Sequence, residues 1–272
     1  MIKQLLLISG AILICVLIYT APRTKQDSSV DQLEKIEVPT GIESVIMNAQ
    51  AALIESDKEK LQELDSRLKS SDPRQQLIAL DSITTFWDKR RVDIAAYYAS
   101  QIADRDPSEK KYIDAAIRYF DAFRYAEDSL KKSQMVSSAI AYYEKALELN
   151  PSNLNVRTDL GVCYAEGTGA PMKGIQMLLG VVKEDPDHEN AQMNLGFLSV
   201  KSGQYDKAIE RFNTVLKINP LKSEVYLFKA QTEMRMGNTD EALISFEKFT
   251  EISNDQEMVR EVKKYIKQIK NS

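Results

Sequence analysis

Three prolines in the second half of the chain recur at almost constant intervals. The segments ELNP, KEDP and KINP end at Pro151, Pro186 and Pro220, which are 35 and 34 residues apart. Each proline follows a segment whose apolar residues recur three and four positions apart, and this periodicity predicts a helix. Because proline cannot continue a helix, each of these segments ends there. An interval of this length predicts a repeated unit made of two helices.

Small and aromatic residues recur together with the prolines. A glycine or alanine lets two helices approach closely, an aromatic ring fills the space beside it, and stacked units share a continuous core. We therefore predict that these residues pack the stack. In chain order they are Ala139, Tyr143, Ala146 and Pro151; Leu160, Gly161, Tyr164, Gly174, Leu178 and Pro186; Leu195, Gly196, Ala208, Phe212 and Pro220; and Tyr226, Ala230, Ala242 and Phe246.

This pattern resembles the tetratricopeptide repeat, in which Leu-Gly, Tyr, Ala, an aromatic residue, Ala and a closing Pro recur within about 34 residues. Residues 154–254 match it closely, apart from Ser199 and Asn254 at a tyrosine and a proline position. The match is partial over 112–153 and weakest over 74–107. The loop YAEGTGAPMKG has one inserted residue and is similar to the Sel1-like variant. The resemblance implies an all-α fold, a right-handed superhelical solenoid of antiparallel helix hairpins that binds proteins or peptides.

The chain divides into five parts on this interpretation. We predict an N-terminal transmembrane helix at 1–22, a linker at 23–40, an N-terminal helical region with a degenerate hairpin at 41–107, repeats at 108–255 and a C-terminal capping helix at 256–272. The predicted repeat units are 108–153, 154–188, 189–222 and 223–255.

The first residues contain no charge between Lys3 and Arg23. A helix of about 19 residues is nearly 30 Å long, which is enough to cross the hydrocarbon core of a bilayer. Cleavage of a signal peptide after Ala21 fits poorly, because Tyr19 and Pro22 are unsuitable at that site. We expect an uncleaved, single-pass anchor in a bacterial inner membrane, with the repeats on the periplasmic side. A cytoplasmic-facing domain is the alternative, since basic residues flank both ends of the segment.

Composition argues against several other functions. The net charge of −4 and the lack of a basic patch disfavour binding to nucleic acid. Two distant cysteines cannot form a disulfide framework or a thiolate metal cluster. His188 is the only histidine, so we expect neither a metal site around it nor a histidine-activated nucleophile at Cys163. We therefore predict no catalytic residue, no cofactor and no metal, and the chain is not expected to be an enzyme.

One face of the first helix of each unit is more apolar than contact with water requires. At about 100° per residue, positions 2, 5, 9 and 12 lie nearly opposite the positions that pack within the stack. In the proteins that the chain resembles, this stripe lines a concave groove, and its apolar centre here predicts a surface for a peptide or helix. The groove stripe comprises Asn155, Thr158, Val162, Asn190, Met193, Phe197, Val200, Leu227, Gln231 and Met234.

Two alternatives stay open for the groove stripe. The N-terminal helix or the C-terminal cap of the chain could cover it, or it could be core in a tighter superhelix. Some members of the family hold carboxylate tails with lysine and asparagine at positions 5 and 9. Thr158 and Val162 occupy those positions in the first clear unit, so that clamp is not expected.

The function expected from these observations is that of a membrane-anchored scaffold or adaptor with protein or peptide partners. One alternative is an assembly factor, similar to membrane-anchored repeat proteins that present apo-cytochromes for maturation. Another is a structural membrane protein that self-associates as a homo-oligomer through its apolar span and the helix from 41 to 57.

Overall fold

The computed structural model describes residues 41–271, and the predicted anchor and linker at 1–22 and 23–40 lie outside these residues. The described part is all-α, as predicted, with thirteen helices and no strand. None of these thirteen helices is both long enough and apolar enough to cross a bilayer. The helices are α1 Ile42–Ala51, α2 Glu55–Leu68, α3 Pro73–Asp88, α4 Val92–Arg105, α5 Glu109–Tyr125, α6 Ser129–Leu149, α7 Leu154–Gly167, α8 Pro171–Glu184, α9 Glu189–Lys201, α10 Tyr205–Ile218, α11 Ser223–Met236, α12 Thr239–Ile252 and α13 Gln256–Lys270.

From α3 onward, each helix packs chiefly against the helices before and after it in the chain. Short connections make the helices within α5/α6, α7/α8, α9/α10 and α11/α12 antiparallel neighbours. First helices of successive hairpins also contact one another, as α7 does with α9. Buried apolar side chains form a succession of clusters along the stack, from α1–α4 to α11–α13. This arrangement is a solenoid of stacked hairpins.

The repeated prolines stand where the sequence pattern predicts. Pro151, Pro186 and Pro220 each follow the residue that caps the C-terminus of α6, α8 or α10. Two glycines that are 34 residues apart add to the repeat: Gly203 and Gly237 occupy left-handed backbone conformations, with φ of 74° and 81°, in the turns within α9/α10 and α11/α12. Glycine tolerates this conformation because it has no Cβ atom.

Apart from the three prolines, which are exposed, and Tyr226, which is partly buried, the predicted stacking residues are buried inside the hairpins. Gly161 and Gly174 bring α7 and α8 into backbone contact, and the ring of Phe212 lies against Gly196. Phe212 and Leu178 are completely buried. The prediction that these residues serve packing is confirmed.

One helix boundary differs from what the sequence indicates. The apolar periodicity of SEKKYIDAAIRYFDAFRYAEDSL, residues 108–130, predicts a single helix. The structure ends α5 at Tyr125 and starts α6 at Ser129, with Ala126 in an extended conformation. The carboxylate of Asp128 accepts a hydrogen bond from the Lys131 amide at 2.8 Å. Side-chain capping of free amides favours a new helix start here over continuation.

The last helix lies against the end of the stack. Val259, Val262 and Ile266 form the buried edge of α13 and pack with Phe246 and Phe249 of α12. The remaining positions of α13 are rich in exposed lysine and glutamate. An amphipathic helix of this kind shields the apolar face that the final hairpin would otherwise expose.

Candidate functional site: a cavity and an aromatic patch on the first-helix face

The first helices of three successive hairpins share a concave surface, which we call the groove face. A cavity of about 270 Å³ lies on it and is lined from α5, α7 and α9, with one side chain from α6. Val162 of the groove stripe forms part of its wall. Helices α5, α7 and α9 therefore line one cavity, to which the groove stripe contributes Val162; that the stripe is a binding surface stays a prediction.

The structure divides the groove stripe by burial. Phe197 and the three side-chain amides are exposed, Val200, Leu227 and Met234 are partly buried, and Thr158, Val162 and Met193 are buried. The three amide residues are Asn155, Asn190 and Gln231. Burial of Thr158 is stabilised locally, because its hydroxyl donates to the carbonyl of Leu154 at 2.8 Å.

Coverage by the chain itself accounts for part of this burial. Leu227 and Met234 pack against the apolar cluster that α13 completes, and Met193 packs with Phe212 of α10. The part of the groove stripe with the largest exposed apolar side chain is therefore the middle of α9. It contains Phe197, which is 37% exposed.

Phe197 belongs to a cluster of three rings. Its ring meets that of Phe228 on α11 edge to face, with centroids 4.8 Å apart and planes at 89°. The buried ring of Phe212 is 5.8 Å away. This geometry holds Phe197 in place while leaving part of its ring in solvent. We call Phe197, Phe228 and the neighbouring Val200 the aromatic patch.

An unpaired carboxylate lies in the cavity. Asp159 of α7 is partly buried and forms neither a hydrogen bond nor an ion pair with any described residue. Burial raises the pKa of Asp159 to about 6, although Arg124 acts in the opposite direction. A partly buried carboxylate without an ion-pair partner is costly in its charged form.

A tyrosine hydroxyl accompanies this carboxylate. Tyr143 of α6 is only 2% exposed, lines the cavity, and has no hydrogen-bond partner among the described residues. Burial raises the pKa of Tyr143, and the nearby charge of Asp159 adds to the effect. The hydroxyl is therefore neutral and can donate to, or accept from, a group that enters the cavity.

The guanidinium of Arg124, which lines the cavity, contacts residues other than Asp159. The Arg124 guanidinium lies 4.6 Å from the centroid of the Phe120 ring, a cation–π contact. It is also 3.9 Å from the carboxylate of Asp121, one turn earlier on α5. With Asp121 and Asp159 at the cavity and one guanidinium beside them, the lining has an excess of negative charge.

The sequence pattern did not reveal this cavity. Asp159 is next to the predicted stripe, at position 6 of its unit, where a solvated surface carboxylate is equally common. The sign of burial that the sequence offered is the apolar composition around Asp159. The same helix carries Val156, Leu160, Val162 and Cys163. The convergence of side chains from α5, α6 and α9 on it follows only from the packing.

The two residues with potential chemistry serve structural purposes. Nδ1 of His188 accepts a hydrogen bond from the Ala191 amide at 3.2 Å, so His188 is the N-cap of α9. Cys163 is fully buried, and burial raises the pKa of its thiol. No group of three His, Cys, Asp or Glu side chains within 41–271 is arranged to hold a metal ion.

Comparison with known families identifies the repeats. A tetratricopeptide repeat family matches residues 167–231 and 199–263, and a second tetratricopeptide repeat family matches residues 128–153. Tetratricopeptide repeats are thus present within residues 128–153 and 167–263. They include the hairpin α9/α10, which carries most of the aromatic patch.

Individual relatives share only part of their length with this chain. It is 25% identical over 123 residues to the Hsp70-Hsp90 organizing protein of Triticum aestivum, covering 45% of this chain and 21% of that protein. It is 29% identical over 96 residues to the RNA polymerase-associated protein CTR9 of Saccharomyces cerevisiae, covering 35% and 8%. The chain therefore spans about a fifth or less of these relatives.

Solved structures of similar shape include a MamA fragment, 41-end, from Desulfovibrio magneticus RS-1. It is 17% identical, covers 66% of this chain and 96% of its own, and superposes with a TM-score of 0.49. A crystal structure of MamA, 21% identical, covers 60% of this chain and 90% of its own, with a TM-score of 0.47.

Proposed function

We propose that this protein is a scaffold or adaptor that binds a partner protein through the groove face, with the aromatic patch as the main contact. The observation that carries the proposal is the exposure of Phe197, a residue that is 37% exposed although its ring contacts those of Phe228 and Phe212. Rigid aromatic anchors of this kind contribute strongly to protein interfaces because little side-chain entropy is lost on binding.

The repeats support a binding role. The names of the two relatives describe proteins that associate with others, as an organizer of Hsp70 and Hsp90 and as a protein associated with RNA polymerase. Within the described residues, the thiol of Cys163 is buried in its protonated form and His188 caps a helix. We therefore assign binding rather than catalysis to the chain.

The mode of capture follows from the groove stripe. Thr158 and Val162 occupy positions 5 and 9 of their unit, and both are buried without offering a cation. A free carboxyl terminus would find no basic partner there. We propose that the partner is held by its side chains, along an internal segment.

Replacing Phe197 by Asp is expected to weaken partner capture roughly tenfold, because a carboxylate would be desolvated at the centre of the contact. The matched control is Ile244→Asp, which places the same charge at a 67% exposed position on α12. Tagged full-length proteins are captured from cross-linked cells, and the associated proteins are measured by quantitative mass spectrometry.

The supporting result is a protein retained by the wild type and by Ile244→Asp but lost from Phe197→Asp. Circular dichroism shows whether each variant keeps its helices. If every captured protein is retained by a folded Phe197→Asp variant, the aromatic patch is not the contact.

We further propose that residues 1–22 anchor the scaffold in a membrane, with the repeats on the periplasmic side of a bacterial inner membrane. This proposal rests on the uncharged run between Lys3 and Arg23. Resistance to alkaline extraction tests the anchor, and protease digestion of intact spheroplasts tests the side. Homo-oligomerisation and an assembly-factor role stay predictions, and light scattering of the detergent-solubilised protein tests the first of them.

A further inference from the structure

We infer that the cavity on the groove face, between α5, α7 and α9, receives a lysine or arginine side chain of the bound partner. This inference rests on the proposed function, because the partner that occupies the groove face supplies the cation. We call the cavity the acidic pocket, after Asp121 and Asp159 in its lining.

The size of the acidic pocket suits one side chain. Its volume of about 270 Å³ is below the roughly 300–1,000 Å³ typical of sites that enclose a whole small-molecule ligand. The cavity is also open to the groove face, since the exposed side chain of Ile117 forms part of its wall. A side chain that projects from a partner lying along the groove can therefore enter it.

The walls match the two parts of a long basic side chain. Ile117, Phe120 and Val162 supply apolar surface for the methylene stem. Asp159 and the hydroxyl of Tyr143 supply hydrogen-bond acceptors for the charged head. Lysine and arginine side chains bind in this way, with the stem on apolar surface and the head among polar groups.

Charge determines which head group is favoured. Asp159 has no ion-pair partner among the described residues, while Arg124 is held by the Phe120 ring and lies beside Asp121. A cation that enters the pocket would form an ion pair with Asp159, joined by a charge-assisted hydrogen bond. A partner carboxylate would face the same two carboxylates and be repelled, and a neutral side chain would leave Asp159 unpaired.

The acidic pocket and the aromatic patch adjoin each other on one helix. Asn194 lines the pocket, and Phe197 follows it by three residues on α9. Residues three apart lie on the same face of a helix, about 4.5 Å along its axis. A partner segment that carries a basic residue beside an apolar one can therefore engage both features together.

The probes for the test are Nα-acetyl-lysine methylamide, whose side-chain ammonium is charged, and its uncharged counterpart, Nα-acetyl-norleucine methylamide. Each is titrated to tens of millimolar into full-length, methyl-labelled protein at pH 7.5. The reporters are the methyl resonances of Ile117 and Val162, and Ile244 on α12 serves as the remote control. We expect saturable shifts at the two pocket residues with the lysine probe, and at least tenfold weaker binding of the norleucine probe.

Two variants and one pH comparison check the assignment. Asp159→Asn should abolish the preference for lysine over norleucine, and Tyr143→Phe should weaken lysine binding several-fold while keeping the ring.

In the wild type, binding of the lysine probe should weaken between pH 7.5 and pH 5, because the pKa of Asp159 is raised to about 6. The charged and titratable groups around it are Arg124 and Asp121 on α5, Tyr143 on α6 and Cys163 on α7. The pH comparison needs no substitution, so it holds even if a variant fails to fold.

The inference is overturned if the lysine probe leaves Ile117 and Val162 unshifted, or if both probes bind equally. The outcome is distinguishable from that of the proposed function. If Phe197→Asp loses the partner and the acidic pocket does not bind the lysine probe, the groove contact is supported and the lysine site is not. If the pocket binds lysine specifically and Phe197→Asp captures the partner undiminished, the lysine site is supported and the aromatic patch is not the contact.

Discussion

A Gly174→Ala variant is expected to lose at least about 3 kcal/mol of unfolding free energy, at the upper end of the cost of overpacking. The new Cβ atom would overlap the carbonyl oxygen of Gly161 and lie 2.5 Å from the amide nitrogen of Ala165. Both are backbone atoms of α7, so no side-chain rotation can relieve the clash. The two helices would have to move apart, which would disturb the packing of the whole hairpin.

The matched control for this variant lies in the same helix. At Gly180 an added Cβ atom would meet only the flexible end of the Arg157 side chain, at 3.8 Å. Because alanine favours helix more than glycine does, Gly180→Ala should stabilise the protein by about 0.5–1 kcal/mol. Denaturant unfolding followed by circular dichroism at 222 nm compares the midpoints. Equal shifts for the two variants would contradict the close backbone contact between α7 and α8.

An Asp159→Asn variant is expected to be more stable than the wild type at pH 7.5 by about 2 kcal/mol. Burial raises the pKa of this carboxyl from 3.8 to about 6 in the folded protein. One pKa unit corresponds to about 1.4 kcal/mol, and partial solvent screening reduces the total. Asparagine removes the cost of holding an unpaired charge in the cavity while keeping nearly the same shape.

The stability difference should depend on pH in a defined window. Below about pH 3 the carboxyl is protonated in both the folded and the unfolded states, so the cost is absent. As the pH rises from about 3 to 6, the unfolded chain ionises first and the wild type loses stability relative to Asp159→Asn. Above pH 6 to 7 the difference is constant.

Unfolding midpoints at several pH values between 4 and 8 measure this difference. The control is Glu210→Gln, which removes an exposed carboxylate from α10 and should change stability by less than about 0.5 kcal/mol. A wild type that is more stable than Asp159→Asn at pH 7.5 would show that the carboxylate has a partner within the fold. A charge that destabilises the fold is typical of a binding residue, whose partner arrives with the ligand.

The helices and their packing residues could be predicted because their signals are local and periodic. Gly174 and Phe212 recur at fixed distances from the closing prolines, so a single repeat pattern identifies both. The break between α5 and α6 was missed because apolar periodicity continues across it. The new helix start is instead favoured by the hydrogen bond that the Asp128 carboxylate accepts from the Lys131 amide.

For the groove stripe, helical periodicity predicts which residues share a face but not which of them are buried. Rotation angles place Met193 and Phe197 on one face of α9, one turn apart. Their burial differs because Met193 is covered by residues of α10 and α11, whereas the Phe197 ring reaches beyond them. Coverage by a neighbouring helix depends on the stacking of hairpins, which a one-helix projection leaves out.

The acidic pocket could not be predicted from the sequence. Tyr143 was assigned to packing, and its ring does pack, but its hydroxyl ends in the cavity without a partner. Asp159 and Asn194 come from different repeat units and converge only after the hairpins have stacked. Such sites depend on long-range geometry, while the repeat pattern describes contacts within and between adjacent helices.

Site-specific photo-crosslinking in intact cells tests the central claim most directly. A photoreactive phenylalanine analogue replaces Phe197 in one full-length protein and Ile244 in a second. Both side chains reach solvent, but Phe197 belongs to α9, which lines the groove face, and Ile244 to α12. We expect a discrete adduct with one partner protein from position 197 and no adduct with that protein from position 244. Adducts from position 244 alone, or the same adducts from both positions, would contradict a binding site on the groove face.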